Sequence, residues 1–420
     1  MTHLFLIAFH SLRNRRTSVI LSATAILISV VLFTGVQYIR TQARLAFVQT
    51  ISGTDLVVGA RSGPVNLLLY AVFRIGDATN NISWQSYRDI ADSPEVAWTI
   101  PLSLGDSHRG FRVLGTNLDY FRYLRYSGNR PLAFAEGAPF ADLYDAVIGA
   151  EVADALHYRI GQKIVLAHGA GNVSFVQHAD KPFRVVGILK RTGTPVDRTV
   201  HVSLEAIEAI HADWQTGMPM PGRQISADAA RQLDLSPQQI TAFLVGMRSR
   251  IATFQMQRAI NDYTEEPLLA ILPGVALAQL WQVVGVMESI LQVIAGFVVV
   301  AGMLGLLITL LSTLNERRRE MAVLRSVGAG PGHLLFLFVL EAFLIAVAAC
   351  AGGVAVLYGA LWIGQPFLIA TTGMALTLVP LDSTQWLLLG GVVVLAGLLG
   401  LVPALLAYRQ SLHDGLTVRV

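Results

Sequence analysis

Only one of the 420 residues is cysteine, Cys350, and it sits inside an apolar run. No intrachain disulfide is possible, so stability does not depend on an oxidising compartment, and Cys350 reads as a small packing residue. Lysine is nearly as scarce: Lys163, Lys181 and Lys190 are the only three, and none follows a glycine. The chain therefore lacks both a basic tract suited to nucleic acid and a GK[ST] loop whose amides and lysine hold phosphates, and it is not expected to hydrolyse ATP itself. The G-x-S-x-G elbow is absent too, which leaves Ser174, Ser203 and Ser326 without the setting of a hydrolase nucleophile, and so is HExxH. Charged residues make up 14% of the chain against 53% hydrophobic, with a net charge of +3, and this balance sets aside a purely soluble protein.

What is present is a set of long apolar runs. Residues 17–38 are long enough, at about 1.5 Å per residue, to cross a hydrocarbon core of about 30 Å. The run is longer than a signal-peptide core and lacks a small-x-small cleavage site, so an uncleaved anchor is expected. Residues 1–16 place Leu4, Ile7, Ala8 and Leu12 at helical spacing before Arg13, Arg15 and Arg16, which suits an amphipathic helix on the cytoplasmic membrane face. Further spans are expected over 283–314, 334–363 and 386–408. Arg13, Arg15, Arg16, Arg317 to Arg319, Arg325, Arg409 and Arg419 then fall on one side, and the 364–385 loop carries no lysine or arginine. The positive-inside preference puts both termini and the 315–333 loop in the cytoplasm.

Residues 39–282 contain no spanning segment and read as one mixed α+β insertion outside the membrane. DLVVGA, FRVLGT, KIVLAH and FRVVGIL have strand composition with glycine stops, and Ser83 and Ser203 sit where helix N-caps belong. ITAFLVGM, a helix over about 248–263 and LLAILPG complete the outer half. Proline and glycine clusters around 128–134 and 217–223 mark off an inserted subdomain over about 130–222. His168, His178, His201 and His211 with Asp180, Asp197 and Asp213 offer metal-type ligands there, but their spacing matches no compact motif, and they are read as surface residues rather than a metal site.

The most informative stretch lies between the second and third spans. In ERRREMAVLRSVGAGPGH, read as a helix, Met321, Leu324 and Val327 form an apolar stripe, Glu316 can pair with Arg319 and Arg317 with Glu320, and Gly328, Gly330, Pro331 and Gly332 end it. Taken alone, such arginines anchor topology. The full string resembles the segment of MacB/FtsX-type ABC transporter permeases with the pattern [ST]-x-x-E-R-x-x-E-[IM]-x-x-L-R-[AS]-[IV]-G-A. Thr313, Glu316, Arg317, Glu320, Met321, Leu324, Arg325, Ser326, Val327, Gly328 and Ala329 match it. AVIGAEVADALHYRIGQKIVL and FRVVGILKRTGTPVDRTVHVSLEAI look like elements of the MacB-type periplasmic domain. VPALLAYRQSLHDGL is similar to the family's closing segment through Pro403, Ala404, Ala407 and Leu416, and departs from it at Ser411, Leu412 and Gly415.

The resemblance implies an α-helical membrane protein with four transmembrane helices and a MacB-like periplasmic domain between the first and second, lying in the bacterial inner membrane. It implies a non-catalytic permease that pairs with a second permease copy, as a homodimer, and with a dimer of separate ABC ATPase subunits. It holds no cofactor of its own, since ATP and Mg are bound by the partner. Glu316, Arg317, Glu320, Met321, Leu324, Arg325, Val327, Gly328 and Ala329 are then the ATPase-coupling residues. Mechanotransmission to the periplasm would export or extract a substrate, with a periplasmic or outer-membrane partner. The alternative is an FtsX-like transmitter that activates a periplasmic partner such as a cell-wall hydrolase, without transport. Gly296, Gly302, Gly305, Gly352, Gly353 and Gly359 permit close helix approach. Glu288 and Gln292 belong near the outer end of the second span, and Glu341 near the inner headgroups.

Overall fold

The computed structural model describes residues 16–169, 176–215, 218–219, 225–312, 314, 330–372 and 379–414. The proposed N-terminal amphipathic helix, the 315–329 stretch and the 415–420 tail lie outside them. The chain divides into two compact units, one of 1–42, 284–365 and 376–420, the other of 43–283 and 366–375.

The first unit is a helical bundle. Helix α1 (Arg16–Thr50), α5 (Pro273–Ser312), α6 (Pro331–Thr372) and α7 (Ser383–Asp414) supply it, and α1 and α5 continue without a break into the other unit. Among the described residues, four segments are long and apolar enough to cross a membrane: Arg16–Gln42, Pro273–Ser312, Leu335–Gln365 and Ser383–Leu406. Each buries less than half of its most apolar window, from 28% to 44%, so most of the apolar surface faces outward, as lipid contact requires. The chain is a multi-pass membrane protein.

Because lipid tails are as apolar as leucine, helices in a bilayer associate through close packing and hydrogen bonds. A Cβ at Gly353 would come within 2.8 Å of Val30 Cγ1, and one at Gly302 within 3.1 Å of Ser29 Oγ. Gly352 faces Leu27 at 3.1 Å. Gly296, Gly305 and Gly359 meet nothing within 4 Å, so only half of the glycines expected at helix contacts lie at one. Gly400, not singled out in the sequence, lies against the Phe338 carbonyl and Ala342. Hydroxyls join the same seam: Ser22 bonds Thr309 at 2.7 Å, and Ser29 donates to the carbonyls of Ala25 and Val298. Glu341 is fully enclosed by the bundle, and Cys350 is buried in the same apolar cluster as Val30 and Leu306.

The second unit is built on one large mixed sheet. Its strands are β1 (Leu56–Ala60), β2 (Val96–His108), β3 (Phe111–Thr116), β4 (Phe134–Gly137), β5 (Asp145–Ile148), β6 (Ala167–His168), β7 (Val176–Gln177), β8 (Phe183–Leu189), β9 (Thr199–Ser203), β10 (Ala242–Met247) and β11 (Leu268–Ile271). The path runs β11-β1-β10-β2-β3-β9-β5-β8-β4, with β6 paired to β2 and β7. Pairing is parallel at β3/β9 and β5/β8 and antiparallel elsewhere on the path. Strands from 130–222 thus extend the same sheet as the strands outside that segment. KIVLAH, expected as one strand, is split into Lys163–Ile164 and β6.

Helix starts follow their caps. Ser83 accepts from the Ser86 amide to open α2 (Trp84–Ala91), and Ser203 accepts from the Ala206 amide to open α3 (Leu204–His211). Helix α4 (Ala252–Asn261) is shorter than the 248–263 expected. Strand β2, the longest of the sheet, was not anticipated. Pro101 lies within its pairing to β10, and the ladder with β3 slips between Leu104 and Ser107.

His201 occupies the β9 position that faces away from its neighbours Val200 and Val202. Its fully buried ring meets the Val147 carbonyl through Nδ1 at 3.2 Å and the Tyr120 hydroxyl through Nε2 at 3.3 Å. Burial first, and then the Arg74 guanidinium, pushes its pKa down to about 3. The unfolded chain takes up a proton below the ordinary histidine value that the folded ring refuses. This contribution to stability is complete above about pH 6.5 and is lost as pH falls toward about 3.

Two predictions follow from these contacts. In detergent, Gly353→Leu or Gly400→Val should lower the apparent melting temperature, reflecting an overpacking cost of about 1–3 kcal/mol, while Gly296→Ala leaves it unchanged. Equal tolerance of all three would contradict the assigned helix contacts. Denaturant unfolding followed by tryptophan fluorescence should show stability falling on acidification, with His201 contributing on the order of 1 kcal/mol per pH unit below its unfolded pKa. His201→Gln should flatten that slope, and an unaltered slope would remove the assignment.

Candidate functional site

The stretch that carries the coupling residues Glu316, Arg317, Glu320, Met321, Leu324, Arg325, Val327, Gly328 and Ala329 lies outside the described residues. Its flanks are described. Leu314, two residues before it, is buried with Phe338 of α6 and Ala404 of α7, and Leu335 packs on the three. On the far side, Gly330 precedes Pro331 at the first position of α6, where a missing N–H costs nothing, and the His333 amide donates to the Gly330 carbonyl at 3.0 Å. The leading end of the stretch is therefore tied to an apolar contact with α6 and α7. Its third member, Ala404, belongs to the closing segment, a role that the sequence pattern alone did not disclose.

Elsewhere in the bundle, Arg40 Nε lies 2.8 Å from Glu288 Oε2, with the carboxylate side chain 14% exposed. This ion pair joins α1 to α5 and gives Glu288 a partner that sequence reading left open. Tyr38 makes a second tie: its hydroxyl accepts from the Val379 amide at 3.2 Å, while Gln385 donates to the Thr34 carbonyl at 3.3 Å.

The seven metal-type ligands noted in the sequence separate into distinct settings. His201 is a core residue. Asp197 accepts from the amides of Thr192 and Gly193 and shapes a turn. Asp180 and Asp213 flank the buried Lys181 ammonium at 3.2 and 3.1 Å and balance its charge. The remaining three histidines converge. His168 Nδ1 lies 3.1 Å from Asp106 Oδ1, His211 Nε2 lies 3.3 Å from His168 Nδ1 and 3.6 Å from the same Asp106 oxygen, and the His178 ring stands at 89° to that of His211.

Asp106 was missed because it lies inside β2, but a signal is in the sequence: the Gly105-Asp106 pair falls where the β2/β3 register slips between Leu104 and Ser107. Such a bulge re-aims a side chain. It sets Asp106 opposite His168 of β6, and α3 ends with His211 above them. His211 donates Nδ1–H to the Ile207 carbonyl at 2.9 Å, which leaves Nε2 with its lone pair toward the cluster. The hydrogen bond to Asp106 raises the His168 pKa, burial lowers that of His211, and burial pushes His178 down to about 4.

Comparison with known proteins places these features. Residues 19–263 match the model of the MacB-like periplasmic core domain, and residues 292–412 match that of the FtsX-like permease C-terminal region. The chain is similar to the pyoverdine export ATP-binding/permease protein PvdT of Pseudomonas syringae pv. syringae (strain B728a), with 24% identity over 305 residues, covering 71% of this chain and 43% of that protein. It thus spans less than half the length of that relative. Among solved structures, the periplasmic region of MacB from Actinobacillus actinomycetemcomitans aligns with 10% identity over 55% of this chain and 94% of its own, at a TM-score of 0.34. The extracellular domain of the noncanonic ABC-type transporter YknZ from Gram-positive bacteria aligns with 13% identity over 52% of this chain and 99% of its own, at a TM-score of 0.31. With a MacB-like core domain matched over more than half of its length and an FtsX-like region after it, the chain belongs to the MacB/FtsX-type family of ABC transporter permeases.

Proposed function

We propose that this permease is driven by a dimer of ABC ATPase subunits carried on separate chains, which bind ATP and Mg and dock on residues 316–329. The permease acts as a homodimer in the bacterial inner membrane with both termini cytoplasmic, and itself binds no nucleotide and performs no catalysis. Closure of the ATPases shifts α5 and α6 where they flank the docking stretch. The continuous helices α1 and α5 pass that motion to the periplasmic unit, which exports or extracts a substrate there together with a periplasmic or outer-membrane partner.

The observation that carries this reading is the FtsX-like match over 292–412, which encloses the whole coupling pattern from Thr313 to Ala329. The absence of a GK[ST] loop from these 420 residues agrees with energy arriving from elsewhere. Similarity to a protein named for export favours movement of a substrate over pure signal transmission.

The test is coexpression with the cognate ATPase and assay of the complex in lipid. Leu324→Asp, Glu316→Arg and, through the flanking contact, Ala404→Phe should cut coupled ATPase turnover by roughly tenfold or more, equivalent to about 1.4 kcal/mol, while the periplasmic unit stays folded. Normal turnover with intact copurification in all three variants would contradict the assigned docking site. Stimulation by a small substrate supports export, stimulation only by a periplasmic protein supports the transmitter, and failure to bind any ATPase removes both.

A further inference from the structure

We propose that Asp106, His168 and His211 form a binding site for a divalent transition-metal ion of the zinc class in the periplasmic unit. The three atoms Asp106 Oδ1, His168 Nδ1 and His211 Nε2 make a triangle with edges of 3.1, 3.3 and 3.6 Å. A tetrahedral ion with bonds of about 2.0–2.1 Å holds its donors about 3.3–3.4 Å apart, so the triangle already has the size of one face of that polyhedron.

The hydrogen-bond chemistry favours a cation at the same place. His211 has committed Nδ1–H to the Ile207 carbonyl, so Nε2 and the Asp106 oxygen both turn lone pairs toward His168. One proton on His168 Nδ1 serves two acceptors in the metal-free state. A metal replacing that proton satisfies all three atoms together, with the Ile207 carbonyl fixing the tautomer and ring direction of His211. Two imidazoles and one carboxylate suit zinc and its neighbours rather than calcium or magnesium, which take oxygen ligands. The buried Lys181 ammonium is matched by Asp180 and Asp213.

The donors come from β2, the β6/β7 hairpin and the end of α3. An ion there ties the short hairpin to the sheet and to the helix.

The experiment uses the full chain in detergent, stripped with chelator and titrated with zinc chloride in a calorimeter, with cobalt(II) as the spectroscopic stand-in. The expected result is one zinc per chain, visible cobalt absorption of tetrahedral intensity, and a loss of affinity of more than roughly tenfold in each of Asp106→Asn and His211→Ala. His157→Asn, an exposed histidine outside the cluster, should bind as the parent does. Asp106→Asn keeps the shape of the side chain, so its melting curve without metal distinguishes lost ligation from lost folding. Absence of zinc heat in the parent, or unchanged affinity in a folded Asp106→Asn protein, would overturn the site.

Discussion

The constraint on which the rest of the architecture depends is that hydrocarbon offers no hydrogen bonds. Every backbone N–H and C=O within a bilayer must be satisfied inside its own segment or by a protein neighbour, and an unbroken helix meets that demand by itself. All of the sheet and its turns are therefore gathered between α1 and α5, where water can satisfy loop backbone. The four apolar segments are left as continuous helices whose remaining freedom is only how closely they approach. That freedom is spent at Gly302, Gly353 and Gly400, where a missing side chain lets a neighbouring helix come to contact distance.

Much of this was legible in the residues because it depends on composition and period. Span length and hydropathy disclose the bundle, Ser83 and Ser203 announce two helices, and the strand composition of FRVLGT and FRVVGIL reproduces β3 and β8. Strand β2 escaped because Pro101, Gly105 and Asp106 each carry a turn signal, and only pairing with β10 and β3 overrides them. The glycines illustrate the same limit. Gly353 and Gly359 are equivalent as letters, yet only the first meets another helix, a fact fixed by helix rotation rather than by residue type.

The histidines show how a site can be visible as residues and invisible as a place. His168 and His211 are brought together by a two-residue strand and the last turn of a helix, so their spacing of 43 residues carries no ligand signature. His201, in a strand of alternating exposure to two cores, belongs to the opposite sheet face by the period of the strand alone. Asp106 lies 62 residues before His168 and enters only through a bulge.

Ser29 and Thr34 of α1 have a consequence for the order in which the protein is made. Thr34 donates to the Val30 carbonyl, and Ser29 to that of Ala25, each four residues back in the same helix, while the interhelical acceptor of Ser29 is Val298. Helix α1 leaves the ribosome long before α5 exists. With both hydroxyls already paired to their own helix, α1 enters the bilayer without waiting for a partner, and the later arrival of α5 adds a second acceptor to Ser29 rather than rescuing a stranded one.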